Sequence, residues 1–183
     1  TLNKEVDQAL IDSEAPDAVI LAVGGTRTKL DVSGGVPVID FDSFMTADMG
    51  ENVVVYGSNA QAFDCALWLT VRKKHVTIVT PSANKDLDMQ QSQHAMRFMT
   101  TALYSLGVKV YKQIGDGQVT IATEVGTNVT IDCDAVIDGA EMEPNTALLD
   151  GISVSETYAI GDCNEPFNIA LAIRSGNDVA RAL

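Results

Sequence analysis

Residues 53–64 have the sequence Val53-Val54-Val55-Tyr56-Gly57-Ser58-Asn59-Ala60-Gln61-Ala62-Phe63-Asp64. A run of β-branched residues stops at Gly57, and an amphipathic helical pattern begins within a few residues, which predicts a strand, a tight turn and a helix. In this setting the pattern G-x-G-x-x-G binds the pyrophosphate of a dinucleotide. The three glycine positions are occupied here by Gly57, Asn59 and Ala62, so two of the three glycines are absent.

Each glycine of that pattern has its own physical role. The first lets the chain turn sharply, and Gly57 retains it. The second lets the pyrophosphate approach bare backbone, so we expect the side chain of Asn59 to crowd that approach. The third allows close packing of the helix on the strand, for which Ala62 is a mild compromise. The candidate contacts to a nucleotide are Gly57, Ser58, Asn59, Ala60, Gln61 and Ala62.

A second departure from the pattern lies at the end of the next predicted strand, residues 75–80. An acidic residue about 20 positions after the first glycine normally holds the ribose hydroxyls, whereas this chain has Thr80 there. Thr80 can make one hydrogen bond but not the charge-assisted pair that a carboxylate offers. Lys85 is a candidate contact to a 2′-phosphate, although a single surface lysine is usually only solvated.

Composition limits the classes of function. The chain has 183 residues and is 46% hydrophobic, enough for one good core or two small lobes. Its formal net charge of −13 argues against partners that are nucleic acids or anionic membranes. No apolar run is long enough to span a bilayer, and no signal peptide is recognisable. Because the chain begins at Thr1 rather than methionine, we expect a fragment or a processed product.

The cysteines and histidines suggest neither redox nor metal chemistry. Cys65, Cys133 and Cys163 are far apart in the sequence, which is typical of reduced thiols in the cytoplasm and argues against the dithiol chemistry of disulfide reductases. His75 and His94 have no acidic or cysteine cluster around them that would predict a metal site. We therefore predict no metal ligand, no catalytic residue within this chain and a cytoplasmic location.

The predicted fold class is α/β, a doubly wound, Rossmann-like parallel sheet with a small antiparallel β-meander. Residues 1–15 are expected to form a peripheral strand or an irregular segment, and residues 36–44 a short extended connection. The predicted strands cover residues 17–23, 53–56, 76–80, 108–111, 134–138 and 157–163, and the meander covers 118–123 and 128–132. The predicted helices cover about 60–73, 89–106 and a segment that begins at Pro166.

A second motif lies near the carboxyl terminus. The predicted strand 157–163 runs into Gly161-Asp162, and a helical pattern follows Pro166. A carboxylate at the end of a strand and beside a helix N-terminus suits hydrogen bonding to sugar or ribityl hydroxyls near a phosphate. Gly-Asp alone is a common turn, so its position after a strand and before a helix is the informative part.

Taken in order along the chain, these segments resemble the C-terminal region of the two-part NADH:flavin oxidoreductases. In that group an old-yellow-enzyme-like barrel is joined to a flavin and nicotinamide module, as in dienoyl-CoA reductases and trimethylamine dehydrogenase. The likeness covers almost the whole chain. It is carried by residues 16–25, the turn at Gly57 with Phe63-Asp64-Cys65-Ala66, residues 134–137 with Pro144-Asn145, and Tyr158-Ala159-Ile160-Gly161-Asp162-Cys163.

The resemblance implies a domain organisation and a set of cofactors. Residues 1–35 and 150–183 would be part of a flavin-binding domain, and residues 36–149 an inserted NAD(P)-binding-like domain. Gly24, Gly25, Gly161 and Asp162 would contact FAD, and the Gly57 turn would contact NAD(P)H. The glycine-rich turn that opens such a flavin domain is absent upstream of Asp17, so the FAD site is incomplete here. The redox barrel and the other part of the flavin domain would be partners, and exposed apolar surface would favour a homo-oligomer.

Three functions remain open from the sequence. The first is a nicotinamide-nucleotide docking domain of a flavin-dependent NAD(P)H oxidoreductase, not active on its own. The second is a Rossmann-like scaffold of a flavoprotein dehydrogenase that has lost nicotinamide binding, as expected if Asn59 and Thr80 disable the site. The third is a free-standing interaction domain that shares only the fold.

Overall fold

A computed structural model describes residues 2–30, 32, 35–80, 93–113, 120–122 and 128–183. The chain forms two compact units, Thr1–Arg27 with Met142–Leu183 and Thr28–Glu141; we call them the outer unit and the central unit. The helices are α1 (Gln8–Glu14), α2 (Ala60–Val71), α3 (Gln93–Ser105) and α4 (Ile169–Ala182). The strands are β1 (Ala18–Leu21), β2 (Gly25–Arg27), β3 (Val38–Asp40), β4 (Asn52–Tyr56), β5 (His75–Thr80), β6 (Lys109–Gln113), β7 (Thr120–Ala122), β8 (Asn128–Thr130), β9 (Ala135–Asp138), β10 (Met142–Pro144) and β11 (Glu156–Ala159).

The central unit is built on one sheet with the strand order β3-β9-β4-β5-β6-β7-β8. Five neighbouring strands are parallel, namely β3, β9, β4, β5 and β6. The strands β7 and β8 continue the sheet in antiparallel fashion. The order reverses direction at β4, because β5 and β6 follow on one side of it and β9 and β3 lie on the other. This arrangement confirms the predicted α/β class with a parallel, Rossmann-like sheet and a small antiparallel extension.

The core of the central unit follows from the alternation of side chains along its strands. Val53 and Val55 on β4 face α2, where they meet the fully buried Phe63. Val54 lies on the opposite face of the sheet, in a smaller buried cluster with Val79 and Val136. Since both faces of β4 are covered, its side chains form a continuous apolar run, as is usual for parallel sheets.

The outer unit contains two small pairs of strands. β1 pairs with β11 in parallel, and β2 pairs with β10 in antiparallel fashion. The sequence predicts a turn at Pro144-Asn145, and the structure places Pro144 at the end of β10, paired with Gly25. Assignment of the outer unit to flavin and of the central unit to a nicotinamide nucleotide stays a prediction.

Several predicted elements begin or end elsewhere. Residues 8–14 form a helix rather than a strand, because the Asp7 side chain accepts a hydrogen bond from the Leu10 N–H at 2.9 Å and Ile11 is buried. α4 begins at Ile169 and not at Pro166, since Asn168 caps it by accepting from the Leu171 N–H at 2.9 Å. β11 ends at Ala159, and residues 161–163 form one 3-10 turn. The segment 36–44 contains a strand of the sheet, β3.

Some predictions lie outside the described residues. They concern residues 89–92 of the helix predicted over 89–106, Lys85, and residues 118, 119 and 123 of the first meander strand.

Candidate functional site

The Gly57 turn lies where β4, β9 and the start of α2 meet. The Gly57 N–H donates to the Val79 carbonyl at 2.9 Å, and the Gly139 N–H donates to the Tyr56 carbonyl at 2.8 Å. Gly57 has a φ of +145°, and a Cβ atom built there would lie 2.4 Å from the Gly139 carbonyl oxygen. A side chain at position 57 is therefore excluded both by the backbone conformation and by the close approach of β9.

Asn59 caps the N-terminus of α2 with a buried side chain. Its side chain is 7% exposed. The amide oxygen accepts a hydrogen bond from the Ala62 N–H at 2.9 Å, and the amide nitrogen donates to the Gly139 carbonyl at 3.0 Å. One of the helix N-terminal donors that would otherwise face a phosphate is thus already satisfied. At the second glycine position, the chain has a buried cap that also ties α2 to β9.

A cavity of about 270 Å³ adjoins this turn. It opens at the carboxyl ends of β4 and β9, the edge at which open parallel sheets bind ligands where the strand order reverses. Its charged lining residues are Lys29 and Glu141, and the Ser58 hydroxyl donates to a Glu141 carboxylate oxygen at 3.2 Å. The cavity is lined by Thr28, Lys29, Leu30, Tyr56, Gly57, Ser58, Ala140 and Glu141.

Acidic groups dominate the electrostatics beside the cavity. The Asp138 carboxylate, at the end of β9, accepts from the Leu30 N–H at 2.8 Å and from the Ala140 N–H at 3.1 Å. Burial raises the pKa of Tyr56, and the negative charges of Asp138 and Glu141 raise it further. A ligand here meets a negative potential on the β9 side, opposed by the charge of Lys29.

The other predicted contacts of the turn differ in accessibility. Ser58 is 2% exposed, Ala60 is half-buried and Gln61 is exposed. Thr80, predicted as the ribose contact, is fully buried. The role of Thr80 as a ribose contact stays a prediction.

In the outer unit, the structure brings the residues predicted to contact flavin close together. Gly24 and Gly161 have φ values of +75° and +61°. A Cβ atom built on Gly25 would lie 2.7 Å from the Glu143 carbonyl oxygen and 3.3 Å from that of Asp162. The Gly161 N–H donates to the Ser175 hydroxyl of α4 at 2.8 Å. The two glycine segments thus form one cluster at the ends of β1 and β11, while their role toward flavin stays a prediction.

Sequence reasoning missed Gly139, Asp138, Glu141 and Lys29 as members of the site. One signal was available: residues 135–139 repeat the pattern of an apolar strand that stops at glycine, as residues 53–57 do. Lys29 and Glu141 carried no local signal, because the cavity that they share with Gly57 is created by the fold.

The cysteines are free, and Cys65 and Cys163 are buried. Burial raises the pKa of the Cys65 thiol to about 12, so it stays protonated and a poor nucleophile at neutral pH. Among the described residues, no group of three or more histidine, cysteine or acidic side chains is placed to hold a metal ion. Within the same residues, no helix has the length and apolar character needed to cross a membrane.

A model of the pyridine nucleotide-disulphide oxidoreductase family matches residues 3–176. The chain belongs to this family. The chain is similar to cinnamate reductase of Clostridium sporogenes. The two are 25% identical over 191 residues, and the match covers 98% of this chain and 28% of the relative. The predicted resemblance to the two-part flavin oxidoreductases is confirmed by the family match and by these relatives.

Solved structures share the fold. A 2-naphthoyl-CoA reductase in complex with 2-naphthoyl-CoA has a TM-score of 0.75 and 24% identity, covering 96% of this chain and 28% of that one. Histamine dehydrogenase from Rhizobium sp. 4-9 has a TM-score of 0.79 and 20% identity, covering 99% and 33%. The pyridine nucleotide-disulphide oxidoreductase chain therefore spans about a third or less of the length of these proteins.

Proposed function

We propose that the central unit docks NADH or NADPH within a flavin-dependent reductase, and that the outer unit contributes part of the FAD site. The observation that carries the proposal is the cavity of about 270 Å³ beside the Gly57 turn. It lies at the carboxyl ends of the strands flanking the reversal of strand order, next to the start of α2, where dinucleotides bind in such sheets.

The residues present fit such ligands in part. Lys29 supplies a cation for a pyrophosphate, and Gly57 holds the turn with bare backbone. In the outer unit, a Cβ atom built on Gly24 would have no neighbour within 4 Å, so this backbone is open to an approaching group. A carboxylate such as that of Asp162 suits the hydroxyls of a ribityl chain.

When bound, a nicotinamide supplies a hydride that a flavin can accept, and that chemistry belongs to the cofactors. The contribution of this chain is to bind and orient them. We place the catalytic barrel, the remaining part of the flavin domain and the substrate site in further segments of a parent protein. α4 offers a surface for such segments, because Ile169 and Ile173 are 80% and 67% exposed.

The test is isothermal titration of the 183-residue chain with NADH, NADPH and ADP at low salt. Micromolar binding of either nicotinamide nucleotide supports docking. Absence of heat from a chain that circular dichroism shows to be folded contradicts it. Low salt is used because it leaves the attraction of Lys29 for a pyrophosphate unscreened, and it leaves the repulsion from the net charge of −13 unscreened as well.

A second candidate is a scaffold that keeps the fold without binding a nicotinamide nucleotide. The observation that favours it is Asn59, whose side chain satisfies the Ala62 N–H and fills the place of the second glycine. Titration of Asn59→Gly separates the two functions. Nucleotide binding that appears only in the variant supports the scaffold, whereas binding by the wild-type chain supports docking. The variant changes Asn59 alone, because Thr80 is fully buried and an acidic substitution there would disturb the core.

A further inference from the structure

The carboxylate that the glycine motif lacks at Thr80 is present on the other side of the turn. Glu141 lines the cavity beside Gly57, two residues after Gly139 and three after the end of β9. One of its oxygens accepts a hydrogen bond from Ser58, which belongs to the turn itself. Since Ser58 is 2% exposed, its hydroxyl is a fixed support that holds this carboxylate at the cavity.

The sheet order decides which half of a dinucleotide meets Glu141. β5 and β9 lie on opposite sides of β4. A dinucleotide crosses such a sheet with its pyrophosphate at the N-terminus of the helix that follows the first strand, and its adenosine ribose meets the end of the second strand. Here these elements are α2 and β5. The riboside that carries the nicotinamide therefore falls on the β9 side, where Glu141 lies.

We infer that Glu141 binds the ribose hydroxyls of the nicotinamide half, with Ser58 as its positioning residue. This inference rests on the proposed docking function. An ionised carboxylate has about four acceptor positions, and the bond from Ser58 uses one, leaving others for a vicinal diol. Lys29 lines the same cavity, and its positive charge offsets the repulsion between Glu141 and the nearby pyrophosphate.

The size of the cavity agrees with placing only the nicotinamide riboside in it. Its volume of about 270 Å³ lies just under the range of about 300–1,000 Å³ typical of pockets that hold a whole small ligand. It suits one riboside rather than a complete dinucleotide. The Glu141 side chain is exposed at the rim, so replacing it does not remove buried packing.

The experiment is titration of the full chain and its variants with ADP and with whichever of NADH and NADPH binds the wild type more tightly. Glu141→Gln keeps an oxygen that can accept from Ser58 but removes the charge. We expect its affinity for the reduced nucleotide to fall about tenfold, the effect of losing a charge-assisted hydrogen bond. Binding of ADP, which lacks the nicotinamide riboside, should stay unchanged.

Glu51→Gln is the matched control, because Glu51 is an exposed residue directly before β4, at the opposite edge of the sheet. It removes the same charge and should leave both affinities unchanged. An equal or tighter affinity of Glu141→Gln for the reduced nucleotide overturns the inference alone, as does a parallel loss for ADP. Lack of binding by the folded wild-type chain overturns the docking function and this inference with it.

Discussion

Replacing Asn59 by glycine should destabilise the central unit while restoring the residue that a dinucleotide motif has at this position. The side chain makes two hydrogen bonds in a buried place, one to the Ala62 N–H and one to the Gly139 carbonyl. The first caps α2, and the second joins the start of α2 to Gly139, which directly follows β9 and lies 80 positions later in the sequence.

The size of the loss follows from these two bonds. Exchange of an asparagine N-cap for glycine costs only a few tenths of a kcal/mol. Loss of the donor to a buried carbonyl costs about 1–3 kcal/mol, because the acceptor is left without a partner. We therefore expect the free energy of unfolding to fall by about 1.5–3 kcal/mol, and the midpoint temperature to fall by roughly 5–10 °C.

Trp68 provides the assay. It is the one tryptophan of the chain, it lies on α2, and it packs edge-on against Phe44 with 5.3 Å between ring centroids. Its fluorescence during urea unfolding therefore reports on the central unit. Asn59→Asp is the control, since it keeps the cap acceptor but faces the Gly139 carbonyl with a second oxygen. If either variant unfolds at the wild-type urea concentration, the bond to Gly139 does not have the importance assigned to it.

Three further outcomes are expected. Gly57→Ala should destabilise the chain by about 2–4 kcal/mol in urea unfolding, because its Cβ would meet the Gly139 carbonyl at 2.4 Å. Gly107→Ala is the control: it has open space around it and should cost about 1 kcal/mol. Equal losses in the two variants would contradict the steric argument. Burial raises the pKa of Cys65 from 9.0 to about 12, so above pH 9 the unfolded chain releases a proton that the folded chain keeps. The contribution of Cys65 should then fall by about 1.4 kcal/mol per pH unit up to pH 12, and the stability of Cys65→Ala should fall less steeply over this range. Hydrogen bonds from two backbone N–H groups lower the pKa of Asp134 below 3.8. The contribution of Asp134 to folding stability is therefore present above pH 3.8 and is lost as the pH falls through the lowered pKa. Acid unfolding monitored by circular dichroism should be less pH-dependent in Asp134→Asn.

The sequence predicts the central strands well because their signal is local. β4, β5 and β9 are short runs rich in β-branched residues that end at a glycine or at a buried threonine, and most of their side chains are buried on both faces of the sheet. The Gly57 turn was recognisable for the same reason. Its glycine, the strand before it and the helix after it are all within a few residues.

The remaining features depend on contacts between distant residues. β3 has only three residues, and its pairing with Val136–Asp138 of β9 makes it a strand. For Asn59, the sequence indicated steric crowding of a phosphate but not the bond to Gly139, because that partner is 80 positions away. Glu141 reaches Ser58 across 83 positions. No periodicity or local motif marks such pairs.

The parallel pairing of β1 with β11 has a consequence for the order in which this chain folds. The pair joins Ala18 to Glu156, so every residue of the central unit must be synthesised before it can form. Within the central unit, the Leu30 N–H donates to the Asp138 carboxylate across 108 positions. If this unit folds before β1 meets β11, its two ends are already close together. The effective loop that β1 and β11 must close then shrinks to about 30 residues, which lowers the entropic cost of closure by about 1 kcal/mol. We therefore expect the central unit to fold first and the outer unit to become ordered after it.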